Sequence, residues 1–384
     1  MNIIAFKMLI GDRAKYIAII MGLTFASLLI TQQLSIFVGL IARTYTTISD
    51  CGIPDIWVCD PQSQFIDDIR PIQDTQLLRI RGIEGVQWAM PFYKGLIRAR
   101  LETGTFQAST LLGLDDTTLI GGPPEMLEGR LEDLRTQEGI IIDDVGANDK
   151  FARIAPDGSK IPLKVGDTME LNDHRAVIVG ICKYGRTWSS LPIIYTTYSR
   201  AVLFAPQERR LLSFLLVKVQ QGEIPQHICD EIQKITGLGA YTHADFLLRT
   251  RNYFLLHTGI PINFGIAVAL GFIVGTAVAG QTFYSFTLDN LRYFGTLKAM
   301  GTRNGVLLRM IVLQAMLVGF IGYGLGVGLA ALIGWANENG DLAFLMPWQL
   351  LVFTAGAILL ICVFASIISM RKVMRLEPAI VFKS

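Results

Sequence analysis

The chain has 384 residues, 51% of them hydrophobic and only 17% charged, with a formal net charge of +2. Soluble globular domains carry about 25% charged residues, so an ordinary water-soluble fold is set aside. The near-balanced charge likewise removes the global basic field expected of a nucleic-acid binder. Charge is nearly absent from four long stretches and ordinary over residues 43–258, a block long enough to bury a core of its own.

Residues 1–15 carry Lys7, Arg13 and Lys15, and residues 16–42 hold no charge before Arg43. A helix rising about 1.5 Å per residue needs about 20 apolar residues to cross a bilayer, and this stretch qualifies. Its apolar run exceeds the roughly 7–15 residues of a signal-peptide core, and Leu40-Ile41-Ala42-Arg43 is a poor cleavage site. An uncleaved anchor is therefore expected.

Residues 43–258 read as one α+β domain rather than a doubly wound sheet. Alternation over 96–101 running into Thr103-Gly104 predicts one hairpin. Residues 168–171, Asn172-Asp173 and 176–181 predict a second. Further strands are expected at 55–58, 139–142, 192–196 and 213–219. Helices are expected at 75–81 and 225–235, and 243–257 is expected to run helically into the second span. Gly121-Gly122-Pro123-Pro124 marks a rigid turn.

Little in the block points to chemistry. His174, His227, His243 and His257 are scattered without metal-ligand spacing. Asp115-Asp116 and Asp143-Asp144 are sequence neighbours, which in a strand face opposite ways. They read as turn or surface acids. No serine sits in a G-x-S-x-G elbow. Cys51, Cys59, Cys182 and Cys229 fall in the block and Cys362 in the fourth span. Cys51 and Cys59 are the closest pair, and spacing alone leaves a disulfide between them open.

Three more spans follow within residues 259–384, at about 262–286, 307–335 and 348–370, consistent with the length rule. The segment between spans two and three carries Arg292, Lys298, Arg303 and Arg309. The C-terminus carries Arg371, Lys372, Arg375 and Lys383, whereas the 336–347 turn has Glu338 and Asp341 but no Lys or Arg. Basic flanks stay inside, so both termini and the 287–306 loop are expected in the cytoplasm, with 43–258 outside. The expected fold is a membrane all-α bundle of four transmembrane helices with a large α+β extracytoplasmic domain between helices one and two. No span has an ionisable residue near its centre, which argues against a proton relay or a charge-lined ion path. Small-xxx-small pairs stand out instead: Gly271 with Gly275, Gly322 with Gly326, and Gly324 with Gly328. They read as packing inside one subunit, or as a dimer seam or sliding face.

The loop after span two contains Arg292-Tyr293-Phe294-Gly295-Thr296-Leu297-Lys298-Ala299-Met300-Gly301. This mixed apolar and basic run fits an amphipathic helix that lies on the membrane or docks in a groove. The run resembles the R-E-I-G-x-L-[KR]-A-[ML]-G signature of FtsX-like and MacB-like permeases, the type VII ABC transporters. The glycine-rich third span, the tail Arg375-Leu376-Glu377-Pro378-Ala379 and the single long insert opening at Asp55-Ile56-Trp57-Val58 fit the same pattern. Tyr293 departs from it, standing where the family often has an acid, so a salt bridge from that position is not expected.

The resemblance implies that 43–258 is a MacB-like periplasmic core domain and 259–384 an FtsX-like permease domain in the inner (plasma) membrane. It implies a coupling helix at 289–303 that seats on a nucleotide-binding subunit through Leu291, Arg292, Phe294, Gly295, Leu297, Lys298, Met300 and Gly301. No G-x-x-x-x-G-K-[ST] loop occurs in the chain. The resemblance therefore places ATP and Mg²⁺ on a separate ABC ATPase, with no catalytic residue, metal or cofactor in this chain. It further implies a second permease chain, expected as a homodimer, contact with membrane lipid, an optional periplasmic adaptor and no nucleic acid. The expected role is export or extraction of a substrate, an efflux-type task, by mechanotransmission. The alternative is mechanical regulation of a periplasmic hydrolase.

Overall fold

Two units divide the chain, Met1–Leu40 with Gly259–Ser384 forming one and Ile41–Thr258 the other. The computed structural model describes residues 6, 8, 9, 11–101, 104–205, 212–337 and 340–374. Lys7, Thr103, Glu338, Arg375, Leu376, Glu377, Pro378, Ala379 and Lys383 lie outside the described residues, as do the side chains of Arg371 and Lys372.

Helix α1 (Arg13–Thr44) is followed by a short helix α2 (Thr46–Asp50). The inserted domain then runs β1 (Ile56–Cys59), α3 (Thr75–Arg81), β2 (Val86–Arg100), β3 (Phe106–Leu114), β4 (Glu125–Glu128) and β5 (Gly139–Asp143). A two-stranded ribbon, β6 (Arg153–Ile154) and β7 (Lys160–Ile161), precedes β8 (Thr168–Leu171), β9 (His174–Lys183) and β10 (Ile193–Thr197). After α4 (Tyr198–Phe204) and β11 (Phe214–Val219) come α5 (Pro225–Thr236), β12 (Gly239–Thr242) and α6 (His243–His257).

Strand β2 organises the domain because it serves two substructures. Its first half pairs with β11, extending the antiparallel order β12-β1-β11-β2. Its second half joins a ring in which β2 pairs β3, β3 pairs β10, β10 pairs β5, β5 pairs β9, β9 pairs β8, and β8 returns to β2. Closing the ring removes edges that would otherwise template aggregation. Its interior is filled by Ile97, Leu111, Ile140, Ile142, Ile178 and Ile194.

The open sheet is buried on both faces, and β1 shows why its sequence is apolar at every position. Ile56 and Val58 pack with Ile80 of α3 and Ile228 and Ile232 of α5. Trp57 and Cys59 point the other way, as alternation requires. Trp57 sits among Phe92, Phe214 and Phe246 of α6, with ring centroids 5.7, 5.8 and 5.7 Å away. An aromatic side chain buried to this degree contributes about 3–5 kcal/mol against truncation to alanine.

Local signals explain the element ends. The β8–β9 turn places Asn172 and Asp173 at φ 49° and 66°, the two left-handed positions of a two-residue hairpin. Pro225 opens α5, and Gly237 closes it at φ 73°. Thr242 Oγ1 accepts from the Asp245 amide at 3.2 Å to start α6. All five cysteines are free thiols and buried, so no Cys51–Cys59 disulfide is present.

Two expectations need correction. Residues 243–257 do not continue helically into the next span: Thr258 is extended at ψ 158° and the chain restarts at Ile260. Pro261 accounts for the break, because its ring would clash with the carbonyl of His257 four residues back. Asp143 is not a surface acid, since it is only 5% exposed. It accepts the Ile193 amide at 2.9 Å, and burial still pushes its pKa up to about 7. Asp115 is a turn acid as expected, accepting from the amides of Thr117 and Thr118.

The second unit continues with α7 (Ile260–Asp289), α8 (Leu291–Ala299), α9 (Asn304–Ala336) and α10 (Trp348–Met374). Helices α1, α7, α9 and α10 are long and apolar enough to cross a membrane. Their shared core holds Leu23, Ala26, Ile30, Phe283, Val318, Ile358 and Ile361.

The Asp143 carboxyl yields a prediction. Its folded pKa lies above the unfolded value of 3.8, so the native state holds the proton more tightly and stability falls as pH rises from about 4 through about 7. The difference is on the order of 4 kcal/mol at the high-pH plateau. Asp143→Asn should flatten this decline in detergent-solubilised protein followed by thermal unfolding. Parallel pH profiles for the variant and the wild type would contradict the assignment.

Candidate coupling and helix-packing site

The coupling candidate is α8, shorter than the expected 289–303 because the backbone ends it on both sides. Asn290 forms the corner with α7: its amide and its side-chain Nδ2 both donate to the Phe286 carbonyl, and its own carbonyl accepts from Phe294. At the other end Gly301 takes φ 88°. The Gly301 amide donates to Lys298 at 3.0 Å and the Thr302 amide to Leu297 at 3.1 Å, the paired bonds of a Schellman stop. A side chain at residue 301 would be strained in this conformation, which accounts for the glycine.

The eight expected coupling residues divide into two sets. Phe294 and Leu297 are 1% and 7% exposed and pack with Leu307, Met310 and Ile311 of α9. Gly295 is buried beside them. Arg292, Met300 and Gly301 are exposed, and Leu291 and Lys298 are half-buried. Tyr293, 60% exposed, joins the outer set with Met300 at 74%. Helix α8 is thus bolted to the first turns of α9 by one face and shows a basic, aromatic and thioether face outward.

Neighbouring contacts hold the base of the bundle together. Lys15 of α1 pairs with Asp289 at the end of α7. Thr287 Oγ1 and Ser369 Oγ share a hydrogen bond, and Ser369 Oγ also donates to the Phe283 carbonyl at 3.2 Å, tying α7 to α10. These hydroxyl contacts are buried, so they weigh more than the half-exposed ion pair.

Glycines set the spacing of the spans. A Cβ at Gly275 would lie 2.5 Å from Ala26 Cβ, one at Gly322 would lie 2.7 Å from Leu23 Cβ, and one at Gly326 would lie 2.5 Å from Ser27 Cβ. Each contact brings α1 against α7 or α9 at backbone range, and Gly271 meets Ile30 and Leu29 at an ordinary 3.5 Å. Gly324 and Gly328 correct the expectation of packing inside one subunit: both are exposed, and a Cβ at either would meet nothing within 4 Å among the described residues. Two residues on a helix turn through about 200°, so this pair faces away from Gly322 and Gly326. Gly22 against Val278 and Gly319 against Cys362 are close contacts that pairwise glycine spacing missed. The buried stripe Ala315, Gly319, Gly322, Gly326, Ala330 carries the signal that finds Gly319.

No group of three or more His, Cys, Asp or Glu side chains that could hold a metal ion occurs among the described residues. The second unit therefore offers closely packed spans and a short helix, α8, fixed to the first turns of α9.

These features define a polytopic membrane protein with a folded domain inserted after its first span. The comparisons name the class. Residues 17–235 match the MacB-like periplasmic core domain, and residues 265–378 match the FtsX-like permease C-terminal domain. The chain belongs to the MacB/FtsX-type family of ABC transporter permeases. It is 24% identical over 320 residues to an uncharacterized ABC transporter permease of Mycobacterium tuberculosis, covering 81% of this chain and 79% of the relative. It is 26% identical over 234 residues to another such permease from Methanocaldococcus jannaschii, covering 56% and 57%. Among solved structures, the periplasmic region of MacB from Actinobacillus actinomycetemcomitans aligns at 15% identity and TM-score 0.39, covering 51% of this chain and 92% of that one. The extracellular domain of the transporter YknZ from Gram-positive bacteria aligns at 13% identity and TM-score 0.35, covering 49% and 98%. The family implies a partner ATPase.

The glycine geometry predicts an asymmetry. Gly326→Leu should lower the unfolding temperature of the detergent-solubilised protein, with overpacking costing about 1–3 kcal/mol. Gly328→Leu should leave it unchanged. Equal losses from both would contradict the two-faced reading of α9.

Proposed function

We propose that this chain is the membrane subunit through which a separate ATPase moves an extracytoplasmic domain, driving export or extraction of a substrate by mechanotransmission. The carrying observation is the division of α8: Phe294 and Leu297 fix it to α9, while Tyr293 and Met300 stand exposed. A helix held this way transmits a push rather than absorbing it, because packed contacts are stiff. The outward face suits a groove on a nucleotide-binding partner, as helix-in-groove docking does generally. Glycine contacts between α1, α7 and α9 support the same reading by letting the spans shift as packed rods. Basic flanks favour placing α8 and both termini in the cytoplasm with ATP. A second permease chain completes the proposed assembly.

Tyr293→Asp with Met300→Asp should reduce copurification of the co-expressed ATPase by about tenfold or more, with the thermal stability of the permease unchanged. Phe294→Ala should lower stability itself by about 3–5 kcal/mol. Full ATPase association with the double variant would contradict the coupling role. Photocrosslinking from the inserted domain separates the tasks, since capture of a cell-wall hydrolase would replace transport by regulation.

A further inference from the structure

Arg309 is the one charged residue between Arg303 and Glu338, and it is the sixth residue of α9. Its side chain is exposed, and among the described residues its guanidinium makes no hydrogen bond or ion pair. The described acids of this unit are Asp12, Asp289 and Asp341. Asp12 and Asp289 pair with Lys15, and Asp341 follows the far end of α9. A guanidinium stays charged at every working pH, so a balancing anion is left to come from outside the unit.

A groove of about 620 Å³ runs from Arg309 along one face of α9. Val312, Leu313, Met316 and Phe320 line it, at steps of three and four residues that keep them on that face. Met316 is 49% exposed and Phe320 78%, and Arg309 is the one polar side chain in the lining. From Arg309 to Phe320 the helix rises about 16 Å. One leaflet contributes about 15 Å of hydrocarbon. The strip therefore has the length of one leaflet, with a cation at its headgroup end.

We propose that this strip binds one anionic phospholipid, with its phosphate on Arg309 and an acyl chain along Val312, Met316 and Phe320. The planar guanidinium matches two phosphate oxygens, and its aliphatic stem covers the first turn of the strip. A zwitterionic lipid carries its own cation beside the phosphate and so offers Arg309 less. A second copy of the chain would cover the apolar strip, but it brings the same described acids, paired with Lys15 or placed beyond the opposite end of α9. The assignment needs only that α9 spans the bilayer and is independent of the coupling role proposed for α8.

The test uses the full chain in detergent micelles and phosphatidylglycerol carrying a diazirine on one acyl chain. After irradiation, peptide mass spectrometry should place saturable adducts within residues 312–320. Unlabelled phosphatidylglycerol should displace the probe about fivefold better than phosphatidylcholine with the same chains. Arg309→Gln should remove that preference and Arg309→Lys should keep it, with the unfolding temperature unchanged in both. Adducts confined to other helices, equal displacement by the two lipids in the wild type, or a preference that persists in Arg309→Gln would each overturn the proposal. Displacement by inorganic phosphate would overturn it in favour of a free anion. Labelling that appears only in Glu377→Gln would overturn it and give Arg309 to the chain's own tail. Adducts that vanish as the chain dimerises would give the strip to a second copy.

Discussion

A peptide group in the hydrocarbon core of a bilayer has no water to bond, so its hydrogen bonds must close within its own segment. That constraint makes α1, α7, α9 and α10 helices and leaves side chains to decide how they meet. Glycines decide it: Gly275 against Ala26, Gly322 against Leu23, and Gly326 against Ser27 bring the helices into close contact. Lipid tails give no hydrophobic drive for helix association, so this close approach and buried bonds such as Thr287 with Ser369 hold the bundle.

The inserted domain obeys the opposite rule, burying apolar surface from water. Trp57 and its aromatic neighbours fill one face of the open sheet, and isoleucines fill the closed ring. Both substructures share β2, which pairs with β11 in its first half and with β3 and β8 in its second. On the proposed reading, α8 plays the matching part in the bundle. Its Schellman stop and buried Phe294 fix it against α9.

Much of the architecture was legible in sequence because its signals are local. Four stretches nearly free of charge gave the spans, and period-two alternation with Asn172-Asp173 gave the β8–β9 hairpin. The mixed run from Arg292 to Gly301 gave α8 and its glycine stop. What escaped depends on distant residues. Closure of the ring through β8 joins segments some 70 residues apart, which no local pattern encodes. Burial of Asp143 follows from the Ile193 strand packing beside it, and the opposed faces of α9 follow from which glycines α1 covers. The break before α7 needs only Pro261, a local signal that lies beyond the end of the α6 pattern.

The account stands on which side of the membrane each unit occupies. Single cysteines at Ile224, 67% exposed in the inserted domain, and at Met300, 74% exposed beside α8, report this with a membrane-impermeant maleimide in intact cells. The native thiols add little background: all are buried, and burial pushes Cys51, Cys59 and Cys229 up to about 12. The account predicts immediate labelling of Ile224→Cys, and labelling of Met300→Cys only after permeabilisation. The reverse pattern would place the inserted domain with the nucleotide pool and contradict the account at its base.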